Sequence, residues 1–458
     1  MRAFNRAAKR ACAALLLTTS LSSCEAQPGK TSAKATLQPL SSGAPVAFPG
    51  AEGFGRAAKG GRGGRIMFVT TLADAGPGSL RACIEASEPR VCVFRVSGLI
   101  RYTTLRPIIR HPFITIAGET APGEGIIIAH AGGKGATTPF VIKSSHDVVV
   151  RHIRVRNDRD GEQRASDSAF IIESSRDVIL DHVSASWARD ENIGGYAQND
   201  RLTISWSIFA RGTPRHDKCA LLASDPKGPQ QVSFLHNLCA HNGDRNPDVN
   251  FPPGSCVEVV NNVLYNAGLQ FTEVWESYGG TPVNIVGNYY RKGPSTSDVS
   301  YVLDRPRVGS KGEARIFFEG NEVDGGGMVV APVAKEARVP TPVCPLTISA
   351  RPARDSYAEV LERAGALPRD AVDRQVIYEV RTRTGRIGLP DRTLPKLAPG
   401  TPYPDADRDG MSDTWERANG LDPARNDAWE DRDGDGWANL EAFLDYAHKA
   451  RLASKQID

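Results

Sequence analysis

Two acidic loops near the C-terminus carry the plainest chemistry in the chain. DADRDGMSDTWE sets Asp405, Asp407, Asp409, Asp413 and Glu416 at loop positions 1, 3, 5, 9 and 12, with Gly410 at position 6. Carboxylates at that spacing wrap a calcium ion, and glycine at the sixth position allows the sharp turn that the wrap requires. The second loop, DRDGDGWANLEA, repeats the opening with Asp431, Asp433, Asp435 and Gly436 and then departs from it. Asn439 stands at position 9 and Ala442 at position 12, with Glu441 just before it. The plain alternative is an unliganded acidic tail. The spacing favours structural Ca2+, and a regulatory sensor does not suit an exported chain.

A tail of this kind needs a body to hold it, and the body is written as a repeat. Apolar runs begin at Val148, Val178, Leu202, Val232, Val257, Val283 and Ile316, at intervals of 30, 24, 30, 25, 26 and 33 residues. Self-similarity at such a period marks stacked units that bury one face against the next. The runs VVVRHIRVR, VILDHVSAS, LTISWSIF and VEVVNNVLY alternate with period 2 and are rich in β-branched residues, so the units are strands. Asn237, Asn262, Asn288 and Asn321 recur at one phase of the repeat. Asn tolerates the left-handed conformation of a tight bend, and its amide can bond to backbone or to the next Asn one coil away. The fold class expected is all-β: a right-handed parallel β-helix, with long loops on one side building the site.

The first residues stand outside that fold. Arg2, Arg6, Lys9 and Arg10 precede the apolar run 11–17, as in a secretory signal, and Leu21-Ser22-Ser23-Cys24 resembles a lipoprotein processing site with Cys24 acylated. Later cleavage of an ordinary signal is the alternative. No other run is long enough to span a bilayer. Residues 24–46 read as a flexible tether. Loss of residues 1–23 shifts the formal charge from +3 to −1, so no nucleic-acid partner follows from the composition. Six cysteines remain beyond Cys24, an even number that favours disulfides in an exported protein. Cys83 with Cys92 is the firmest pair; the pairing of Cys219, Cys239, Cys256 and Cys344 stays open.

The Gly-rich stretch 47–64 is followed by a strand and not by a helix, which argues against a phosphate-cradling loop. Then DAGPGSLRACIEAS offers Ser79 as N-cap of a short helix able to plug the open first coil. FPGAEGFG, GGRGG, VTTL and GPGSLR, with VILDH, HDK and RNP after them, resemble the pectate lyases of polysaccharide lyase family 1, in particular their exported bacterial branch. The resemblance covers residues 47–390 and implies a right-handed parallel β-helix that performs calcium-assisted β-elimination on polygalacturonate, the expected partner. A linker, 391–404, then leads to a tail, 405–458, that resembles the EF-hand-like tandem calcium motifs of exported bacterial glycan enzymes. The segment AVDRQVIYEVRTRTG is expected to close the barrel in the manner of the family.

Elimination at a uronate needs the C5 carboxylate neutralised, the C5 proton removed and the departing oxygen supported. By resemblance, Asp167 matches a family calcium ligand, and Asp190 or Glu191 lies where a further acidic ligand is expected. The last family ligand falls near Gly194 or Gly195, so substrate is expected to complete the metal site. Lys218 matches the substrate-binding lysine, with His216 beside it, and Arg245 matches the catalytic arginine. A guanidinium is essentially never deprotonated in water, so a base role demands a dry site with cations and calcium near it; a bidentate clamp on uronate is the alternative. Asn250 replaces a second family arginine, which puts substrate affinity in doubt. Asp181-His182 belongs to the family signature but reads as a structural strand end. Two other functions fit the scaffold: a polygalacturonase-like hydrolase, which needs facing carboxylates, and a non-catalytic glycan-binding solenoid. The chain is expected to be exported, either as an outer-membrane lipoprotein anchored by its lipid or as a secreted protein, and to act as a monomer.

Overall fold

Each repeat forms one coil of a parallel β-helix in the computed structural model, which describes residues 46–132, 137–158, 167–389, 391–455 and 457. The expected signal segment, Cys24 and most of the tether lie outside the described residues. Val148, Val178, Leu202, Val232, Val257, Val283 and Ile316 stand opposite one another along a single parallel ladder. Three sheets of ten, nine and nine strands form the walls. Their inward residues, among them Val150, Leu180, Ile204, Phe234, Val259 and Ile285, share one continuous core. Stacking in register is what the period-2 pattern dictates, because a slip of one residue would turn every apolar side chain to solvent.

Both ends of the solenoid need covers for their open strands. At the first coil, the helix Leu80–Glu85 inserts Leu80, Cys83 and Ile84 into the core, and the Ser79 hydroxyl accepts the Ala82 N–H at 3.2 Å. At the other end, Ala334 of the short helix Pro332–Glu336 joins the same core. The segment AVDRQVIYEVRTRTG does not close the barrel. Its helix, Ala371–Thr382, lies with Ala353–Arg363 along the flank, burying Val360, Val376 and Val380 against Ile208, Leu238 and Val263.

The Asn ladder forms, but the left-handed bend lies one residue earlier than the Asn. His236, Asn261, Gly287 and Gly320 take φ of 55°, 57°, 65° and 63°. The reversal at that residue directs the next side chain to the corner. Asn262 Oδ1 accepts the Asn237 N–H at 2.8 Å, Asn288 Oδ1 accepts that of Asn262 at 2.9 Å, and Asn321 Oδ1 that of Asn288 at 2.9 Å. Each amide Nδ2 also donates to a carbonyl of the previous coil, as Asn262 does to Phe234 O at 2.9 Å. The ladder thus satisfies corner N–H groups that the strand hydrogen bonds leave over.

The tail packs on the outside of the first coils. Tyr403, Met411, Leu440, Phe443 and Leu444 bury against Val91, Val93 and Ala117. The last helix, Asn439–Leu452, brings His448 against the coil wall, where His152 and His182 stack at 5.1 Å between ring centroids. Asp181 serves structure, as expected: it accepts from His182 Nδ1 at 2.8 Å, Arg151 Nε at 3.2 Å and Ser205 Oγ at 2.9 Å. Cys83 pairs with Cys92, Cys219 with Cys239, and Cys256 with Cys344. Among the described residues, no helix is long and apolar enough to cross a membrane.

Candidate active site and calcium loops

The nine-stranded sheet that includes Glu191–Tyr196, Lys218–Ser224, Asp248–Val249 and Gln270–Val274 carries the clearest group of charged side chains. Glu191 stands opposite Lys218, Lys218 bridges to Asp244, and Asp248 stands opposite Glu273. Parallel stacking converts residues tens of positions apart in sequence into neighbours one coil apart. Arg245 sits in a left-handed turn, φ 51°, that breaks out of the wall between Asp244 and Asp248.

Its guanidinium is bound by the Glu191 carboxylate, has Asp248 Oδ2 3.6 Å from Nε, and lies 6.0 Å from the centre of the Trp275 ring. The Lys218 ammonium pairs with Asp244. His216 Nδ1 is 2.7 Å from Asp190 Oδ1. Tyr196 donates its hydroxyl to Glu191 Oε2 at 3.3 Å. Arg245, Lys218, His216, Asp190 and Glu191 are therefore linked, directly or through Asp244 and the strand register, into one group. Asp167 is held instead by Arg189 Nη2 at 2.7 Å, and Asn250 Nδ2 contacts Ser277 Oγ at 3.5 Å. Among the described residues, Asp167, Asp190 and Glu191 do not form a three-carboxylate cluster.

Burial, and then the charge of Asp190, pushes the Glu191 carboxyl up to about 7. Burial likewise raises Asp190 and, with Glu273 beside it, Asp248. Burial works to lower the pKa of Arg245, but Asp248, Glu191 and Glu273 outweigh it and hold the guanidinium above its ordinary value. This is the reverse of what a basic arginine needs, because carboxylates and not cations surround it. Removal of a proton from Arg245 therefore requires a cation to take up that negative charge. The Asp190–Glu191 pair, adjacent in sequence and each raised by burial, is the part of the site whose charge a divalent ion would relieve.

The tail shows a fuller donor set. Carboxylate oxygens of Asp405, Asp407 and Asp409 gather within 4.8 Å of one another, as do those of Asp409, Glu416 and Asp427. Asp407 Oδ2, Asp409 Oδ2 and both Glu416 oxygens are buried without a hydrogen-bond partner. Burial and the neighbouring acids push Asp409 up to about 7 and Glu416 up to about 8. Buried unpaired carboxylates of this kind fit a divalent cation. Asp427 was not legible from loop spacing, since it lies between the two loops. Asp413 accepts the Ala406 N–H at 2.8 Å and so frames the loop instead of joining either group.

In the second loop, Asp431, Asp433 and Asp435 gather but are exposed. Asn439 and Glu441 do not join them. Asn439 Nδ2 donates to Asp427 O at 2.9 Å, while Glu441 Oε2 accepts the Ala438 N–H at 3.1 Å and Oε1 pairs with Arg62 at 2.5 Å. Both residues belong to the start of the last helix: Glu441 is claimed by the free N–H of Ala438, whereas Asn439 ties the helix start to Asp427 and accepts the Arg432 N–H at 3.3 Å.

No family model matches the chain. A probable pectate lyase C of Aspergillus fumigatus is 35% identical over 421 residues, covering 87% of this chain and 93% of its own length. A probable pectate lyase C of Emericella nidulans is 33% identical over 429 residues, covering 87% and 92%. Among solved structures, a pectate lyase from Bacillus sp. N165 in complex with trigalacturonate aligns with a TM-score of 0.48 at 16% identity, over 69% of this chain and 99% of that one.

Proposed function

The chain belongs to the pectate lyase family, and from that premise we propose that it cleaves polygalacturonate by calcium-assisted β-elimination at the face built by Glu191, Lys218 and Arg245. The reading is supported above all by one observation: the coil register stacks Glu191 on Lys218 and Lys218 on Asp244, with Arg245 next in the chain and bonded to Glu191. A cationic pair embedded among raised carboxylates suits a polymer that presents a carboxylate on every ring.

In the reaction, the C5–H bond and the bond from C4 to the glycosidic oxygen break, a C4–C5 double bond forms, and the departing oxygen gains a proton. Asp190 and Glu191 would hold calcium, which would supply neutralisation of the uronate charge that disfavours loss of the C5 proton. Lys218 and His216 hold a uronate carboxylate. Arg245 is the residue that faces the reacting carbon, as base once its anionic partners are neutralised, or as clamp while they are not. Asn250 extends the substrate face, while Asp167, the expected calcium ligand, is bound by Arg189.

The finer attributes belong to the same proposal. The chain is of the exported bacterial branch, carries a signal segment over 1–23 and is anchored through Cys24; its three disulfides suit an oxidising compartment. The lyase body spans 47–390, and after the linker 391–404 the tail 405–458 holds calcium at Asp405, Asp407, Asp409 and Glu416, with Asp427 completing the set. The test is incubation with polygalacturonate while ultraviolet absorbance of unsaturated uronide is followed, with calcium and with chelator. A rise in calcium that chelator abolishes is the expected result. New reducing ends without absorbance would point to the hydrolase, and neither signal would point to a binding protein.

A further inference from the structure

A side chain from the coil after Arg245 grips that arginine at both ends. In its left-handed turn, Arg245 directs its backbone N–H away from the strand ladder, and Glu273 Oε1 accepts it at 2.8 Å. The neighbouring turn positions are held by main chain and hydroxyl: Asn246 N–H donates to Phe271 O at 2.8 Å, and Thr272 Oγ1 to Asn246 O at 3.1 Å. Only the Arg245 N–H depends on a carboxylate. The second oxygen of that carboxylate, Oε2, accepts the Trp275 Nε1–H at 2.7 Å, which fixes the indole whose ring centre lies 6.0 Å from the guanidinium. A cation over an aromatic face at that distance is attracted to it.

We propose that Glu273 is a positioning residue for the lyase reaction: one carboxylate orients the main chain of Arg245 through its N–H and the guanidinium through Trp275. The inference rests on the role given to Arg245 above. Glu273 is buried, so a merely structural role would need only an acceptor for the N–H. One feature argues for more. The carboxylate is divided between the arginine's backbone and the ring beside its side chain, and both of its oxygens are used, one for each donor. A glutamine, with a single acceptor oxygen, could serve the N–H alone and not the indole as well.

The experiment compares Glu273→Gln, Glu273→Ala and Trp275→Phe in the full-length protein with calcium, measuring kcat, KM and Tm and following amide exchange in the peptide that contains Arg245. For Glu273→Ala the expected result is kcat lower by about tenfold or more with KM within about threefold, the pattern of a contact made in the transition state. Exchange at Arg245 should quicken. Glu273→Gln keeps one acceptor oxygen for the N–H but presents an NH2 that cannot accept the Trp275 Nε1–H. Its kcat is therefore expected to lie between wild type and Glu273→Ala. Trp275→Phe, which keeps a ring but loses the same bond, should match Glu273→Gln. A kcat for Glu273→Ala within about twofold of wild type would overturn the proposal. So would a Glu273→Gln with wild-type kcat, since that pattern belongs to a merely structural acceptor of the N–H, and so would losses in both variants that only follow a lowered Tm. If the wild type releases no unsaturated uronide, the lyase reading fails by itself; unchanged exchange at Arg245 in Glu273→Ala would still overturn the grip, and quickened exchange would uphold it.

Discussion

His152 Nε2 lies 2.9 Å from His448 Nδ1, one ring on the coil wall and the other on the last helix. The Leu367 N–H donates to His152 Nδ1 at 3.1 Å, so the His152 proton sits on Nε2 and is given to His448. His182 donates from Nδ1 to Asp181, and its Nε2 is buried without a partner. These partners assign the tautomers and leave all three rings neutral.

Acid should therefore loosen the tail. Burial lowers all three pKa values; Arg151 adds to this at each of the three rings, Arg451 and Arg154 at His152, and Arg363 at His182, against Asp181 at His182 and His448. Neutral when folded and able to bind protons when released, the rings contribute stability that is full above about pH 6.5 and lost as pH falls below it, by about 1.4 kcal/mol per pH unit for each ring that gains a proton. Thermal unfolding and limited proteolysis from about pH 8 to pH 5, in saturating calcium, are the measurements. His448→Gln, able to accept from His152, is expected to flatten the slope by one proton. An identical slope in the variant would reject this account.

Calcium should order the tail through Asp405 and Asp409. With calcium, Asp405→Ala combined with Asp409→Ala is expected to become protease-sensitive beyond residue 400 while turnover stays mostly intact. Because the substitutions also remove the Arg95–Asp405 pair and acceptors for the Asp409, Gly410 and Met411 N–H groups, the calcium effect is read as the Tm gain that calcium gives wild type and fails to give the variant. Calorimetric titration should show the variant losing a binding event. A digestion pattern that calcium does not alter in either protein would count against the assignment.

Arg245→Lys is expected to cut turnover by about a hundredfold or more, since lysine keeps the charge and loses the planar fork. Lys218→Ala should mainly raise KM, since it removes ground-state binding. Steady-state constants for both, beside Tm, decide the matter. Near-normal turnover in Arg245→Lys would end its place in the chemistry, and an unaffected Lys218→Ala would end the shared face.

Asn262→Ala tests the ladder. It strands the Asn237 N–H and the Phe234 carbonyl, groups now bonded at 2.8 and 2.9 Å, and each buried unsatisfied group costs about 1–3 kcal/mol. The Tm should drop while activity per folded molecule holds. An unchanged Tm would show that the corner can do without the amide.

From sequence alone, the coil register could be read, because period-2 alternation and the recurring apolar starts leave one way to bury each face: Val178, Leu202 and Val232 pair as their spacing required. The gathering of Asp405, Asp407 and Asp409 could be read too, because these carboxylates are local in the chain. Resemblance singled out Lys218 and Arg245 together with His216 and the Asp190–Glu191 pair, but not the coil that follows them. Tertiary structure alone decided that Glu273 and Trp275 flank Arg245, that Asp167 is taken by Arg189, and that Asp427 joins Asp409 and Glu416. It also decided that His448 meets His152. These are contacts across coils or between tail and wall, and they depend on loop paths and helix docking for which one-dimensional spacing carries no signal. The ladder shows the division in a single residue: the sequence announces that Asn262 sits at a corner, and only the folded backbone decides that Asn261 makes the left-handed turn while Asn262 carries the hydrogen bonds.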